Sequence, residues 1–301
     1  EPVVSVIIPC YNSERTIVDC LNAITTQITS VSYDITVVDS SVDNTSGIVA
    51  KQFPRVNLLR LNERTYAGVA RNIGIKATKG RYCLMIDSDC ICSRDLIERM
   101  VSRHAQDDYA AVGGSIANGT PNSWSGLLCY LMEFKEFIPT APLRLVTSVP
   151  TANVCYRREA IVGLGGFDPL MWLAEDILLN WKIHQAGGRI LFDPEIQVTH
   201  LNRTGFLNVL AYQQNMGTYS AIARRRGGLP GNIALRFPLL VMLMPFGRVL
   251  RAALWLLKHD KPGFFRFLVI SPIYLLGSAI WASGFFQEAA RGMENQTSVS
   301  D

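Results

Sequence analysis

Apolar residues along the first ninety positions follow two alternating rhythms. Val3 to Ile8 is a β-branched run closed by Pro9. Ile17, Leu21, Ile24 and Ile28 then recur at the spacing of one helix face, with Ser13 offering a cap. The alternation repeats: Ile35 to Val38 reads as a strand ending at Asp39, Thr45 to Phe53 as a short helix, and Val56 to Leu61 as a third strand. Tyr66 to Thr78 reads as a helix stopped at Lys79-Gly80, and Tyr82 to Ile86 as a fourth strand ending at Asp87. Near-continuous apolar strands that alternate with helices predict an α/β fold with a parallel sheet covered on both faces.

The polar residues just after these strands give the pattern its chemistry. Tyr11 and Asn12, then Asp39, then Asp87 and Asp89 each follow a strand end. In an open α/β sheet, ligands bind outside the carboxyl ends of the strands, so these side chains converge on one rim. Asp87-Ser88-Asp89 has two readings. Aspartate is a good turn former in a wet loop, and two adjacent carboxylates also suit a cation or a polyhydroxyl ligand. A dinucleotide fold would need a glycine-rich first turn, and Cys10-Tyr11-Asn12-Ser13 contains no glycine. An aspartate-nucleophile phosphatase would continue its Asp-x-Asp to a threonine, whereas here Cys90-Ile91 follow.

The stretches VSVIIPCYNSE, ITVVDSSVDNT, GVARNIGIKATKGRYCLMIDSD and LAEDILLNWKIHQAGGRI, in that order, resemble the inverting family-2 glycosyltransferases of the GT-A fold. The resemblance covers about residues 3–220. ANVCYRREAIVGLGGFDP and LFDPEIQVTHLNRTGF resemble the membrane-associated bacterial polysaccharide enzymes of the succinoglycan type. There are departures: Asp39 is followed by Ser40 instead of a second Asp, and the Gln-x-x-Arg-Trp of processive synthases is missing. The resemblance implies a Rossmann-like nucleotide-sugar domain, a nucleotide-diphosphate donor with UDP favoured, and Mn2+ or Mg2+ to neutralise the leaving diphosphate. It places Pro9, Tyr11 and Asn12 along the nucleotide, with Tyr11 stacking on the base and Asp39 accepting from a base N–H. It makes Asp89 a metal ligand and gives Asp87 the ribose hydroxyls or a metal-bound water. Arg71 is expected either on the base or a phosphate, or as an ordinary solvated helix arginine.

His200, after the strand-like Ile196 to Thr199, is either a satisfied structural histidine or, as the resemblance implies, a group near the metal or diphosphate. Glu175 and Asp176 open a helix running to Gly187. Acids there favour the helix dipole without any catalytic role. The family pattern makes Asp176 the base that deprotonates the acceptor hydroxyl and Glu175 an acceptor contact, with Trp172 nearby to line a sugar site. Gly113-Gly114 and Arg157-Arg158 are expected to touch acceptor and diphosphate.

The net charge of +4 is uneven along the chain. Arg224 to Arg266 carries nine basic residues against Asp260, a net of +8, while residues 1–223 carry −2. That basic block is also strongly apolar, which suits an anionic membrane surface; without stacking aromatics or a docking module it does not suit nucleic acid. Phe267 to Phe286 runs 20 residues without a charge, enough for one crossing, whereas Phe237 to Gly247 runs only 11 and reads as an interfacial or hairpin segment. A buried helical subdomain is the alternative. Arg224-Arg225-Arg226 puts the catalytic side in the cytoplasm, at the inner membrane. Seven scattered cysteines suggest reduced thiols, and nothing at the start of the chain reads as a secretory leader.

The sequence therefore predicts a catalytic domain over 1–222 and a basic, apolar, membrane-associated helical region over 223–301. The expected partners are a nucleotide-sugar donor, a lipid-linked or glycan acceptor and the membrane; the oligomeric state is open. The competing classes are a catalytically silent sugar-nucleotide or glycan binder on the same fold, and a structural membrane partner of a transport complex.

Overall fold

The computed structural model describes residues 1–297. The chain alternates β1 (Val4–Cys10), α1 (Ile17–Thr25), β2 (Tyr33–Asp39), α2 (Thr45–Gln52), β3 (Asn57–Arg60), α3 (Ala67–Ala77) and β4 (Tyr82–Ile86). It continues through β5 (Cys90–Cys92), α4 (Leu96–Gln106), β6 (Tyr109–Asn118), α5 (Trp124–Phe134), β7 (Arg144–Val146) and β8 (Asn153–Arg157). Then come α6 (Arg158–Val162), α7 (Glu175–Gln185), β9 (Arg189–His200), α8 (Phe206–Gly227), α9 (Ile233–Arg236), α10 (Met244–His259) and α11 (Lys261–Thr297). A 3-10 turn, Pro238–Leu243, precedes α10.

Two compact units emerge. The first is Glu1–Gly119 with Phe137–Leu201, and the second is Thr120–Glu136 with the chain from Asn202 on. The boundary expected at 222/223 is thus corrected: it falls inside α8, an unbroken helix whose Gly217 lies against the Trp281 carbonyl of α11. A Cβ at Gly217 would stand 1.8 Å from that oxygen, so glycine permits the two helices to pack.

The first unit is built on one nine-stranded sheet ordered β3-β2-β1-β4-β8-β6-β9-β5, with β7 added to β9. The expected parallel arrangement holds for β3, β2, β1 and β4. Beyond β4 the sheet is mixed, because β8 runs antiparallel to both β4 and β6 and β5 runs antiparallel to β9. Strand direction reverses there, a turn of topology that apolar runs do not encode. α3 packs on β1 and β2 through Gly74, where a Cβ would meet Ile7 at 2.5 Å. α1 ends at Thr25, and Ile28 is exposed, so the predicted helical face is one turn shorter than its spacing suggested.

The order places a topological switch between β1 and β4, the position at which α/β sheets open a crevice. Pairing of β1 with β4 stops at Ile7 and Met85, while pairing with β2 runs on to Cys10. Pro9, which has no N–H to give a ladder, sits where β1 has only one neighbour. The ends of β1 and β4 therefore splay apart at the carboxyl edge.

The second unit, described by itself, is helical. α10 runs straight through Arg248 and Arg251 to His259, since arginine is a good helix former and does not end a helix. The apolar stretch thought to stop at residue 247 thus belongs to Leu239–His259, 21 residues, which like Lys261–Arg291 is long and apolar enough to cross a bilayer. Most of both segments is exposed within the unit, including Leu239, Phe246, Leu250, Leu254, Phe265 and Val269, so the buried-subdomain alternative does not describe them.

Candidate active site

The carboxyl edge of the first unit collects the predicted side chains. β4 runs out at Ile86, and Asp87-Ser88-Asp89 leads directly into β5. β5 pairs with β9 so that Cys90 faces His200, and the Leu201 amide donates to the Asp89 carbonyl at 2.9 Å. This register, not sequence proximity, brings His200 to Asp89: Nε2 lies 3.4 Å from Oδ1. The ligand atoms of Asp89, Cys90 and His200 lie within 4.8 Å of one another.

These residues fit a hard divalent ion as a two-ligand set. Burial, with Asp89 and Asp87 adding to it, pushes the Cys90 thiol well above its ordinary range, so it stays protonated and is a poor ligand. A carboxylate and an imidazole remain. The Asp89 side chain keeps 36% of its surface exposed, which leaves room for phosphate oxygens and water around an ion.

Arg71 links this corner to the next. From α3 its Nη2 donates to Asp87 Oδ1 and its Nη1 to Glu175 Oε1, both at 2.6 Å. The expectation of an ordinary solvated helix arginine is corrected: its side chain is 3% exposed and both terminal nitrogens are engaged by carboxylates. Gly68, one turn earlier on α3, allows this approach, because a Cβ there would lie 3.0 Å from Glu175 Cγ.

Glu175 and Asp176 start α7 immediately after Ala174, which is held at φ +59°, a left-handed conformation costly for a residue with a Cβ. The turn aims both acids inward. Burial pushes Glu175 up to about 7 against the pull of Arg71. Burial also raises Asp176, opposed by the Ile177 amide and Arg71. The helix dipole favours the ionised forms, and burial works against it at both acids.

On the β1 and β2 side, the expected groups divide. Tyr11 is exposed, with the Arg64 guanidinium 4.5 Å from its ring centroid. Arg64 also lies 5.5 Å from the Tyr66 ring, and Tyr66 stacks on Trp172 at 4.5 Å and 11°. Arg64 and Tyr66 were not singled out in the sequence, because a charge and an aromatic in a loop carry no periodic signal. Asn12, at φ +54°, donates its amide to Ser41 Oγ and accepts from the Val42 amide, tying the first loop to the second. Asp39 is fully buried: Oδ1 accepts from the Ser41 amide and hydroxyl, and Oδ2 from the Ser46 hydroxyl. In this arrangement Asp39 holds the second loop, and a base N–H would share its oxygens with these three donors. Ser13 does not cap α1 with its side chain; its hydroxyl pairs with Ser88 at 2.8 Å.

Other expectations fail on topology. β8 runs back along β4 with Arg157 opposite Tyr82, which puts Arg157 and Arg158 at the far edge of the sheet. Arg157 donates to the Tyr109 carbonyl, and Arg158 to the carbonyls of Gly80 and Ile75. Neither faces the strand-end acids. Gly113 and Gly114 lie within β6, where added Cβ atoms would meet Val149 at 2.6 Å and the Ile196 carbonyl at 2.0 Å. They serve close packing.

With this geometry in view, similarity to known proteins is specific. The family model for glycosyl transferase family 2 matches residues 5–162, more than half of the chain. The chain belongs to this family. Glycosyltransferase AglE of Haloferax volcanii is 28% identical over 208 residues, 66% of this chain and 67% of that protein. Succinoglycan biosynthesis protein ExoO of Rhizobium meliloti is 28% identical over 223 residues, 69% of this chain and 63% of its own length. Poly-beta-1,6-N-acetyl-D-glucosamine synthase of Staphylococcus aureus is 25% identical over 203 residues, 64% of this chain and 48% of that protein. The chain thus spans between a third and two thirds of the first curated relatives it matches. Among solved structures, the mannosyltransferase PcManGT from Pyrobaculum calidifontis, in complex with GDP-Man and Mn2+, superposes with a TM-score of 0.63 at 20% identity. That match covers 96% of this chain and 86% of the other. S. aureus TarS 1-349 in complex with UDP-GlcNAc superposes with a TM-score of 0.55 at 17% identity, covering 97% of this chain and 92% of that fragment. The fold is GT-A-like, as the motif order implied.

Proposed function

We propose that this family-2 protein is an inverting, metal-dependent glycosyltransferase that uses a nucleotide-diphosphate sugar, a UDP-sugar in first place. The acceptor is a lipid-linked or membrane-held glycan at the cytoplasmic face of the inner membrane. The observation that carries the reading is Arg71. By bonding Asp87 and Glu175 at once, it joins the strand-end carboxylates and the α7 acids into a single centre.

In this reading Asp89 and His200 hold Mn2+ or Mg2+, which supplies charge neutralisation to the departing diphosphate. Asp87, fixed by Arg71, presents its second oxygen to the ribose hydroxyls. Tyr11 offers a ring face to the base, and Pro9 and Asn12 shape the loop beneath it. Asp39 holds the neighbouring loop in place through Ser41 and Ser46. Asp176 takes the proton from the acceptor hydroxyl as that oxygen attacks the anomeric carbon. Attack opposite the diphosphate inverts the configuration. The raised proton affinity of Asp176 suits a base that must hold the proton during the step. Glu175, immobilised by Arg71, is the acceptor-side contact.

Two further observations support the membrane setting: the +8 block between Arg224 and Arg266, and two largely exposed apolar helices. Flotation of the full chain with phosphatidylcholine vesicles, with and without phosphatidylglycerol, tests that part.

The activity is tested by screening nucleotide sugars with Mn2+ and Mg2+ and identifying the released nucleotide. Wild type is expected to turn over a UDP-sugar only with metal, and Asp89→Asn to lose metal-dependent donor binding while keeping its melting profile. Unchanged Mn2+-dependent donor binding in Asp89→Asn, or metal-independent turnover by wild type, would refute the assignment.

A further inference from the structure

Several arginines in the helical unit differ sharply in their partners. Arg203, Arg225 and Arg251 reach carboxylates: Glu133 at 3.9 Å, Glu288 at 2.5 Å and Glu136 at 3.0 Å. Arg224 and Arg248 reach none among the described residues, although both point into the unit. The Arg248 guanidinium lies 4.6 Å from the Trp281 ring centroid, and that of Arg224 lies 5.6 Å from the Phe285 ring. Trp281 and Phe285 are one turn apart on α11, with centroids 5.4 Å from each other. The two cations therefore stand side by side over one aromatic face.

Each is incompletely satisfied. Arg224 Nη1 donates to the carbonyl and hydroxyl of Ser220, but its Nε is sealed from solvent and has no partner. Arg248 Nε is likewise sealed and unpartnered. Further along the same face of α11, the hydroxyls of Tyr274 and Ser278 are fully buried and unbonded. Glu136, whose charge acts on Arg248, is held by Arg251. Burial and the neighbouring Arg248 both work against the charge of Arg224. Two adjacent like charges in an apolar seam repel each other and are costly to desolvate. Stacking on a ring returns about 0.5–2 kcal/mol per cation and neutralises neither. A shared anion would answer both the repulsion and the open donors.

We propose that Arg224 and Arg248 form a binding site for a phosphate group, gripped between their guanidinium forks in the helical unit. Two planar forks match the oxygens of a phosphate better than those of a smaller anion. The phosphate can come on a lipid, since α10 and α11 expose Leu250, Leu254 and Val269 along the same unit, or free from solution. Only the lipid source rests on the membrane reading given above. Failure of this site leaves metal-dependent donor turnover untouched, so the two readings fail separately.

The test uses the full chain in a neutral detergent, with phosphatidic acid, phosphatidylcholine or inorganic phosphate added and thermal stabilisation titrated. Phosphatidic acid is expected to raise the melting temperature where phosphatidylcholine does not. Arg248→Gln and Arg224→Gln should each weaken that effect by about tenfold or more, as loss of a charge-assisted contact predicts. Arg236→Gln, which removes an exposed cation on α9, should leave it unchanged. Stabilisation by inorganic phosphate at matching concentration marks a free-phosphate site; stabilisation by phosphatidic acid alone marks a lipid phosphate. If a glutamine variant does not fold, Arg248→Lys decides, because it keeps the charge and loses the fork and should bind several-fold more weakly. No stabilisation of wild type by either phosphate, or equal affinity in the Arg224 and Arg248 variants, overturns the proposal.

Discussion

The two edges of the sheet carry opposite charges and solve opposite problems. At the carboxyl edge, Asp87, Asp89, Glu175 and Asp176 crowd together with Arg71 as the cation bonded between two of them. At the far edge, Arg157 and Arg158 donate to the backbone carbonyls of Tyr109, Gly80 and Ile75. The far edge is satisfied by its own chain. The near edge holds two acids, Glu175 and Asp176, whose proton affinity burial has raised, an arrangement that clusters at sites of binding and catalysis. Local completeness therefore separates scaffold from chemistry better than charge does.

The sharpest way to break this contrast is at Asp176. Asp176→Asn should cost about 10²–10⁴ in kcat, the usual loss for a general base, while donor and metal affinity hold. Paired calorimetry and transfer rates read this directly. Transfer within a few-fold of wild type would move the base elsewhere.

Next comes the bridge. Arg71→Met leaves Asp87 and Glu175 with no shared cation, and breaking a buried pair from one side costs about 3–5 kcal/mol. Adding Glu175→Gln to Arg71→Met should recover part of that loss at neutral pH, because the buried Glu175 must otherwise stay charged or take up a proton there. Denaturant midpoints of the two variants check it; equal destabilisation would mean that Arg71 acts by packing alone.

Titration sharpens the same point. Glu175 is raised from 4.5 to about 7, so between these values the folded chain keeps a proton that the unfolded chain has lost. The stability linked to that proton is full below about pH 4.5 and is lost as pH rises through 7. Glu175→Gln removes the titration, so the variant should gain stability on wild type as the pH rises from 5 to 8. Unfolding at the two pH values would show a constant difference if the carboxylate were already ionised at pH 5.

How much of this was legible depends on range. β1 to β4 and their helices were readable because their apolar spacing is local, and the strand-end acids followed from them. His200 could be suspected only from resemblance, since its place beside Asp89 is set by the pairing of β5 with β9 across about a hundred residues. Asp39 and Arg71 were found, but with other partners, because Ser41, Ser46 and Glu175 compete for them through contacts that no periodicity encodes. Arg157 and Arg158 were sent to the wrong edge because a run of apolar residues does not state the direction of its strand.

Arg158 gives the mildest test and the cleanest control for the contrast. Its Nε and Nη1 donate to the Gly80 and Ile75 carbonyls, and its Nη2 bonds the Thr78 hydroxyl at 3.0 Å. These groups surround the end of α3, where carbonyls lack helical partners and a cation is favoured by the dipole. Arg158→Ala should therefore destabilise the chain by about 1–3 kcal/mol, the range for removing charged donors from partly buried acceptors. The far edge lies across the sheet from Asp87, so metal affinity, donor KM and kcat should stay within about twofold at temperatures where the variant is folded. A shift in donor KM without a shift in melting temperature would mean that Arg158 reaches the diphosphate after all, and that the two edges are not separate in function.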